Sequence, residues 1–513
     1  MTDHLQYDLA VPAPVVRTTA GLVQGRWQNA SSAAYLGIPF AAAPVGELRF
    51  AAPKPHPVWE GVRPAMEYGP TPQRRPFGPA VTIPEPSIPG ECTLNVNVFT
   101  PAPRDRGAKL PVFVWIHGGG YFAGSPSSPW YNGRAFNARG IVTVSVSYRL
   151  GFDGFGWMEG TPLNRGMLDQ ILALEWVRDN IVEFGGDPDK VTIGGQSAGG
   201  GNVQALMASP KAAGLFRGVI SESGPAGTPS LEQAMAGGRA MAERVGVEPT
   251  REAWLNVGED VILDNEREIN QAKGWPATPT NADDFLKALR DGFEGEHGMV
   301  LTPLVDGEFL TEPIADAIAH GSGNDVALLA GTTRNEFSFP LPGPAPRIDE
   351  AVAPLKAAGM SDKAVERFAN EVHRIGAERT GGQFMTEWMF RVGLARLAEN
   401  RMAAGAGERT WLYDYAQQNS TSGSSVHCDE IPYAFDALDA PKAEDVLGPN
   451  PSRHFAKVVN GIWARFIADG TVGQPSLAEG GPTGAIRLQG EATWDPEAYL
   501  FERELLASCG HIE

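Results

Sequence analysis

The chain has 513 residues, of which 42% are hydrophobic and 20% are charged, a composition typical of a globular protein with a large core. Its formal net charge of −19 argues against nucleic acid and against an anionic membrane as partners. The chain holds only three cysteines, its first residues lack the basic and apolar regions of a signal peptide, and no apolar run approaches the roughly 20 residues that cross a bilayer. We therefore expect a cytoplasmic protein without a membrane partner.

Strand-like and helix-like patterns alternate through most of the chain. Short apolar runs predict strands at residues 94–99, 110–117, 142–148, 191–195, 218–223, 326–332 and 411–416. Apolar residues at helical spacing predict helices at residues 167–184, 202–208 and 454–469. This alternation predicts an α/β fold with a mostly parallel central sheet and helices on both faces, a fold whose ligands bind at the carboxyl ends of the strands.

Two charged and helix-prone stretches, residues 228–300 and 344–408, interrupt the alternation. We interpret both as helical insertions that cover the carboxyl ends of the strands. The strand predicted between them belongs to the same sheet, so we expect a single domain over residues 1–513.

The most informative segment is Gly-Gln-Ser-Ala-Gly at residues 195–199, which follows the strand predicted at 191–195. A strand that runs into G-x-S-x-G is typical of a nucleophile elbow, where a sharp strand-to-helix turn exposes the serine hydroxyl. Because the chain has 61 glycines, the motif alone is a moderate signal. A serine nucleophile also needs a base, a carboxylate that orients the base, and donors for the oxyanion.

Donors for an oxyanion are predicted at residues 117–120, His-Gly-Gly-Gly, directly after the strand at 110–117. Such a loop presents backbone N–H groups to the developing oxyanion, and glycine lets the backbone approach the substrate closely. We interpret His117 itself as a structural anchor of the loop and not as an acid or base.

The acid and the base are predicted from chain order, which in this class of fold is serine, acid, histidine. Glu336 lies just past the strand at 326–332, whereas its nearest competitor, Asp306, precedes glycine in a turn-like sequence. Only His427, His454 and His511 follow Glu336. Since His454 falls in a helical pattern and His511 in the tail, His427 is the predicted base.

These segments resemble the type B carboxylesterase and lipase family, and the similarity runs nearly end to end. Besides the elbow, the matching segments lie at residues 37–41, 44–46, 94–98, 117–120, 147–151, 168–170 and 184–188. The resemblance implies the α/β-hydrolase fold and a serine esterase that needs no metal or organic cofactor. It implies that Ser197 is the nucleophile, Glu336 the acid and His427 the base. The backbone amides implied to form the oxyanion hole are those of Gly119, Gly120 and Ala198.

The resemblance also implies supporting residues around the triad. Ser223 matches a serine that supports the triad from behind, and Gln196 stands beside the nucleophile where many relatives have glutamate. The pairs implied to form structural salt bridges are Arg49 with Glu91 and Arg149 with Asp169. Because Gln196 removes a negative charge and residues 73–91 hold no tryptophan, a choline ester is disfavoured as substrate.

Aromatic residues near the motifs are the predicted lining of the substrate pocket: Phe122, Trp157, Phe337 and Phe339. Phe337 follows the acid where glycine is usual in the family, which predicts a narrower pocket. Cys428, next to the predicted base, is interpreted as a small buried residue.

The prediction is a serine carboxylesterase that hydrolyses small to medium uncharged esters through an acyl-enzyme on Ser197, as a monomer or homodimer. Three alternatives stay open. A carbamate or amide hydrolase would use the same triad. A lipase would act on long acyl chains, although no long apolar lid helix is evident. A cholinesterase-like binding module without catalysis typically lacks the serine or the histidine, and both are present here.

Overall fold

The fold is described from a computed structural model that covers residues 12–78, 82–225, 227–269, 278–292 and 299–512. The amino-terminal residues behind the prediction that no signal peptide is present lie largely outside these ranges. Parts of the stretch predicted at 228–300 also lie outside them, at residues 270–277 and 293–298.

The strands of the described residues form one sheet of thirteen strands. They are β1 (Pro12–Arg17), β2 (Leu22–Asn29), β3 (Ser32–Pro39), β4 (Val62–Pro64), β5 (Asn95–Thr100), β6 (Leu110–Ile116), β7 (Val142–Val146), β8 (Gly186–Gln196), β9 (Gly218–Glu222), β10 (Ala327–Thr333), β11 (Thr410–Tyr415), β12 (Ala485–Gln489) and β13 (Glu491–Asp495). Their spatial order is β1-β2-β3-β5-β7-β6-β8-β9-β10-β11-β12-β13, with β4 beside β2. From β7 to β12 every neighbouring pair is parallel, and antiparallel strands flank this centre on both sides. The predicted mostly parallel centre is therefore confirmed.

Helices connect and cover the strands. They are α1 (Arg134–Asn137), α2 (Gly151–Phe155), α3 (Arg165–Asn180), α4 (Ala198–Ala208), α5 (Leu231–Val245), α6 (Arg251–Trp254), α7 (Glu259–Ile269), α8 (Ala282–Arg290), α9 (Ile314–Ala319), α10 (Ile348–Ala357), α11 (Asp362–Ile375), α12 (Thr380–Thr386), α13 (Val392–Ala403), α14 (Ile431–Ala434), α15 (Ala443–Leu447), α16 (Arg453–Asp469), α17 (Leu477–Gly480) and α18 (Leu500–Ser508). α5 to α8 occupy the stretch 228–300, and α10 to α13 occupy 344–408.

Strand β6 shows why the sheet is covered on both faces. Val112, Val114 and Ile116 belong to one hydrophobic cluster, and the alternating Phe113 and Trp115 belong to another. Successive side chains of a strand point to opposite faces, so the continuous apolar run supplies a core on each side. These two cores hold the strand ends rigidly where the site lies.

The helix predicted at 167–184 ends in two steps. α3 stops at Asn180, a 3₁₀ turn covers Ile181–Phe184, and Gly185 then adopts a φ of +82°. That left-handed conformation suits glycine and terminates the helix. β8 starts at the next residue, earlier than the strand predicted at 191–195.

One of the two predicted salt bridges is confirmed and the other is wrong. Arg149 and Asp169 form a buried pair, with Arg149 Nη2 2.7 Å from Asp169 Oδ1. Arg49 does not bind Glu91, which is exposed. Arg49 Nε instead lies 3.3 Å from Asp153 Oδ2, because α2 brings Asp153 against it.

Candidate active site

Three parallel strands end at the same edge of the sheet and carry the predicted site segments there. β6 ends at Ile116, which lies opposite Gly195 near the end of β8. Gln196, the last residue of β8, lies opposite Glu222 on β9, and Glu222 also lies opposite Gly331 on β10. The segments after β6, β8 and β10 are therefore neighbours at one rim.

The turn after β8 is strained at Ser197, whose φ of +58° and ψ of −125° are rare for a residue with a side chain. α4 begins at the next residue. A Cβ on Gly195 would lie 2.5 Å from the carbonyl carbon of Gly199, and a Cβ on Gly199 would overlap the carbonyl oxygen of Ile116. The flanking glycines are therefore required by close backbone contact, as expected for a nucleophile elbow.

The glycine loop after β6 touches this turn. A Cβ on Gly118 would overlap the carbonyl oxygen of Gln196 and lie 3.1 Å from Ser197 Cβ. Gly119 and Gly120 have φ values of +116° and +60°. Among the described residues, no acceptor is bound to the backbone N–H of Gly119 or Gly120.

A third unused donor lies at the start of α4. As the first residue of the helix, Ala198 has an N–H group without a partner in the preceding turn. The positive end of the helix dipole lies at the same point. Among the described residues, the backbone N–H groups of Gly119, Gly120 and Ala198 are thus without an acceptor, and Ala198 directly follows Ser197 in the chain.

His117 anchors the loop. Its ring is fully buried and stacks on Tyr148, with 4.7 Å between ring centroids, and its Nδ1 lies 2.8 Å from the carbonyl oxygen of Gly118. Burial lowers the pKa of His117 to about 4. The imidazole is therefore neutral near pH 7, in line with a structural role.

Glu336 and His427 are joined directly. Glu336 Oε2 lies 2.5 Å from His427 Nδ1, and Glu336 Oε1 accepts the backbone N–H of Thr333 at 2.8 Å. The backbone N–H of His427 donates to the carbonyl oxygen of Glu336 at 3.1 Å. The buried carboxylate thus fixes both the position and the tautomer of the imidazole.

The other imidazole nitrogen of His427 contacts Gln196. Gln196 Nε2 lies 3.2 Å from His427 Nε2, and the Gln196 side chain is buried. None of the hydrogen bonds among the described residues joins the Ser197 hydroxyl to that nitrogen. In this structure the Gln196 amide is therefore the hydrogen-bond partner of His427 Nε2.

The competing residues have other partners. Asp306 Oδ1 accepts three backbone N–H groups of its own turn, and its Oδ2 accepts from Asn164 at 2.8 Å. His454 Nε2 lies 2.6 Å from Glu491 on the surface, and His511 Nε2 lies 2.8 Å from a backbone carbonyl oxygen. Each of these partner sets accounts for its residue without a role at the rim.

Ser223 and Cys428 lie behind and beside the triad positions. The Ser223 backbone N–H donates to the carbonyl oxygen of Gly331 at 2.8 Å, which ties β9 to β10 at the rim. Its hydroxyl is buried and has no partner among the described residues. Cys428 is buried with a φ of +74°, and burial raises the pKa of its thiol well above the usual value. The thiol is therefore not a reactive thiolate near pH 7.

Two further carboxyl groups lie behind the rim and were missed in the sequence. Glu222 and Glu430 are fully buried, and burial raises the pKa of Glu222 to about 8 and that of Glu430 well above its usual value. Glu222 Oε1 accepts from Trp463 Nε1 at 2.7 Å, and the other three carboxyl oxygens have no partner among the described residues. The protonated form of Glu222 is therefore favoured near pH 7, so it adds little negative charge behind the rim.

A cleft of about 520 Å³ opens at this rim. Ser197, Gln196, Glu336 and His427 all line it, together with Gly118 and Gly119. Phe337 lines it and packs edge-on against the His427 ring, with 5.0 Å between centroids. The cleft is large enough for a small-molecule substrate. The carbonyl group of such a substrate would contact both Ser197 and the glycine loop.

The four predicted pocket aromatics fall in three places. Phe337 and Phe339 line the cleft. Phe122 lies behind Phe77, a lining residue that the sequence analysis missed, in a stack with 5.4 Å between centroids. Trp157 packs against α5 and lies outside the described lining of the cleft. Phe77 belongs to a proline-rich loop without periodicity, so no local pattern marked it.

A metal site and a membrane span were searched for in the described part of the chain. There, no group of three or more His, Cys, Asp or Glu side chains is arranged to hold a metal ion. Among the same residues, no helix has both the length and the apolar character needed to cross a membrane.

Comparison with known proteins shows that the chain is similar to carboxylesterases. A family model described as carboxylesterase family matches residues 12–497. The chain is 32% identical over 480 residues to a para-nitrobenzyl esterase of Bacillus subtilis (strain 168), covering 89% of this chain and 90% of that protein. It is 30% identical over 503 residues to liver carboxylesterase 1 of Oryctolagus cuniculus, covering 89% and 86%.

Solved structures of esterases have the same fold as this chain. A para-nitrobenzyl esterase structure superposes with a TM-score of 0.77 at 28% identity, covering 96% of this chain and 99% of that chain. A carboxylesterase of Geobacillus stearothermophilus superposes with a TM-score of 0.76 at 28% identity, covering 96% and 100%. The likeness therefore extends over nearly the whole fold.

Proposed function

The chain belongs to the carboxylesterase family and has the α/β-hydrolase fold, and on this basis we propose that it hydrolyses carboxylic esters through an acyl-enzyme formed on Ser197. The observation that carries the proposal is the 2.5 Å contact of Glu336 with His427, in one cleft with the strained Ser197. That three side chains far apart in the sequence line one cleft supports nucleophilic catalysis there.

In the first half of the proposed reaction, the Ser197 hydroxyl attacks the ester carbonyl while His427 Nε2 accepts the hydroxyl proton. Glu336 accepts a hydrogen bond from His427 Nδ1 and stabilises the imidazolium that forms. For this step the Ser197 hydroxyl must replace the Gln196 amide at Nε2. Catalytic hydrogen bonds are often longer in a free enzyme and shorten when the substrate is bound.

The oxyanion is proposed to lie among the backbone N–H groups of Gly119, Gly120 and Ala198. These donors are held in place before the reaction by the loop and by α4, so they need not reorganise as the charge develops. Loss of one such donor typically costs about 100- to 1,000-fold in kcat. Collapse of the intermediate releases the alcohol, which takes the proton from His427.

The second half repeats these steps with water as the nucleophile. His427 removes a proton from water, the hydroxide attacks the acyl carbonyl, and Ser197 leaves with a proton from the imidazolium. The acid is released and the enzyme is restored. No step needs a metal or an organic cofactor.

The proposed substrates are small to medium uncharged esters. The phenylalanines that line the cleft, Phe77, Phe337 and Phe339, supply apolar surface for an acyl or alcohol group. The two helical stretches, 228–300 and 344–408, are proposed as insertions of one domain that shape the cleft. Arg267 on α7 binds the backbone of Phe77, and Phe390, which precedes α13, lies 4.9 Å from the His427 ring.

The proposal is tested with purified protein and matched substrates. We expect hydrolysis of p-nitrophenyl acetate and p-nitrophenyl butyrate, with an initial burst of p-nitrophenol and a mass increase of one acyl group on Ser197 when turnover is quenched. The same acyl groups presented as anilides and carbamates serve as the comparison. Faster turnover of the amide or carbamate, or acylation at another residue, would contradict an esterase that uses Ser197.

Gln196 provides a prediction for pH dependence. Gln196→Glu places a carboxylate beside His427 Nε2, where it stabilises the imidazolium and leaves less free base at a given pH. We expect the acidic limb of the kcat/KM profile for p-nitrophenyl butyrate to move to higher pH by about one unit. Gln196→Leu removes the amide without adding charge, so it should move the limb upward by less than Gln196→Glu does. An unchanged profile for Gln196→Glu would show that this side chain does not act on the base.

A further inference from the structure

A second cavity, of about 290 Å³, lies on another part of the molecule and shares no described lining residue with the active-site cleft. We call it the arginine cavity, because five arginines line it: Arg334, Arg367, Arg374, Arg391 and Arg487. They come from four parts of the chain, namely the segment after β10, helix α11, the segment between α12 and α13, and strand β12. The fold therefore gathers these charges from distant positions.

Three of these arginines share two carboxylates. Arg334 binds Asp414, and Arg367 Nη2 lies 3.0 Å from Asp495 Oδ2. Arg487 binds Asp495 as well, and its Nε lies 3.9 Å from Asp414 Oδ2. Cations thus outnumber carboxylates at this end of the cavity.

The inner end of the cavity holds Arg391 and its carboxyl partners. Arg391 Nε lies 2.5 Å from Glu502 Oε1 and 3.5 Å from Glu387 Oε2, and its Nη1 lies 3.0 Å from Asp414 Oδ1. Burial, together with the neighbouring Glu502, raises the pKa of Glu387 well above its usual value, which weakens it as a counter-charge. Arg374 binds Glu371. The five guanidinium groups therefore share the carboxyl groups of Glu371, Glu387, Asp414, Asp495 and Glu502.

Arg487 shares both of its carboxylates with other arginines. Asp414 also binds Arg334 and Arg391, and Asp495 also binds Arg367. Glu497 lies 3.8 Å from Arg367, but it also binds Lys363, whose charge offsets it. The cavity therefore contains an arginine without a carboxylate of its own.

Arg487 is the arginine of the cavity whose hydrogen-bond donors are least completely paired. Its Nε is buried without an acceptor among the described residues. Burial and repulsion from Arg334 lower the pKa of Arg487. Its side chain is 29% exposed, and those of Arg367 and Arg374 are each 30% exposed, so the guanidinium groups reach the mouth. A planar guanidinium forms paired hydrogen bonds with carboxylate or phosphate oxygens. An oxygen acceptor of this kind is what the Arg487 Nε–H donor lacks.

From this cluster we propose that the arginine cavity binds a compact oxyanion, either phosphate or a small carboxylate, at the mouth formed by Arg367, Arg374 and Arg487. The stacked rings of Phe368 and Phe501, with 4.7 Å between centroids, form an apolar wall beside the guanidinium groups. This wall suits a carboxylate with a short apolar part, and phosphate uses the guanidinium groups alone. The binding does not depend on the esterase proposal.

The test is a titration of the whole protein followed by thermal unfolding. Sodium phosphate and sodium acetate are added in separate series, with ionic strength held constant by sodium chloride. We expect the Tm to rise and saturate with at least one of the two anions, because a ligand that binds only the folded state stabilises it. Saturation with phosphate alone identifies an inorganic oxyanion, and saturation with acetate identifies a carboxylate.

Variants test whether the anion binds in the arginine cavity. Arg487→Gln should weaken the apparent affinity at least about tenfold, measured against the variant's own Tm without anion, and Arg367→Gln should do the same. Arg244→Gln removes a surface arginine that pairs with Glu268 and should leave the affinity unchanged. The proposal is overturned if wild-type protein shows no saturable response beyond sodium chloride, or if Arg487→Gln and Arg367→Gln bind the anion as tightly as wild type.

Discussion

Ser197→Ala is expected to abolish ester hydrolysis, with a loss in kcat of roughly 10⁴- to 10⁶-fold. The reason is chemical, since alanine has no hydroxyl to form the acyl-enzyme. The elbow itself should remain, because its strain comes from the backbone and its close contacts from the flanking glycines. The measurement is kcat with p-nitrophenyl butyrate, together with the mass of the quenched protein, which should show no acyl adduct.

The matched control is Ser508→Ala on α18, where the serine hydroxyl donates to the carbonyl oxygen of Leu505 at 2.8 Å and lies 3.8 Å from Cys509 Sγ, in a helix that contributes no residue to the described lining of the cleft. We expect its kcat to stay within about twofold of wild type, since surface changes of this kind are small. Turnover retained by Ser197→Ala at the wild-type rate would refute the nucleophile and the acyl-enzyme with it.

The second large effect is expected for Glu336→Gln, which should lower kcat by about 10⁴-fold. Oε1 of Glu336 accepts from the Thr333 backbone, and Oε2 accepts from His427 Nδ1. A glutamine amide in the place of Oε2 would donate to Nδ1, so the proton would move to Nε2 and the base would be lost. The measurement is kcat across pH 6 to 9, to separate a lost base from a shifted one.

Asp306→Asn is the matched control for the carboxylate. Asparagine keeps the Oδ1 that accepts from the turn backbone but loses the Oδ2 that accepts from Asn164, so the Tm should fall somewhat while kcat changes little. A large loss in Asp306→Asn with none in Glu336→Gln would mean that the wrong carboxylate was assigned.

Much of the scaffold could be predicted because its signals are local. The apolar run at 110–117 predicted a strand that the structure gives as β6, and the apolar spacing at 167–184 predicted a helix that the structure gives as α3 and the 3₁₀ turn after it. The segments at 117–120 and 195–199 were located from short motifs in which glycine is required by close backbone contact. Chain order and strand ends were enough to select Glu336 and His427 for the triad hypothesis.

Other features depended on residues far apart in the sequence. The partner of Arg49 is Asp153 and not Glu91, since the packing of α2 sets which carboxylate approaches the guanidinium group. Trp157 looked like a pocket residue by its place in the chain, but it packs against α5. Phe77 in the proline-rich loop showed no periodic pattern, and it lines the cleft through contacts with Phe122 and Arg267, which are distant in the sequence.

The sequence by itself determined the order of strands and helices, the turns that only glycine can make, and the side chains able to carry out acyl transfer. These follow from backbone sterics and apolar periodicity, which act between residues a few positions apart. The tertiary structure alone decided which distant side chains meet. It placed the Gln196 amide beside His427 Nε2 and gathered five arginines around one cavity. Such contacts depend on how whole elements pack, and no local pattern encodes them.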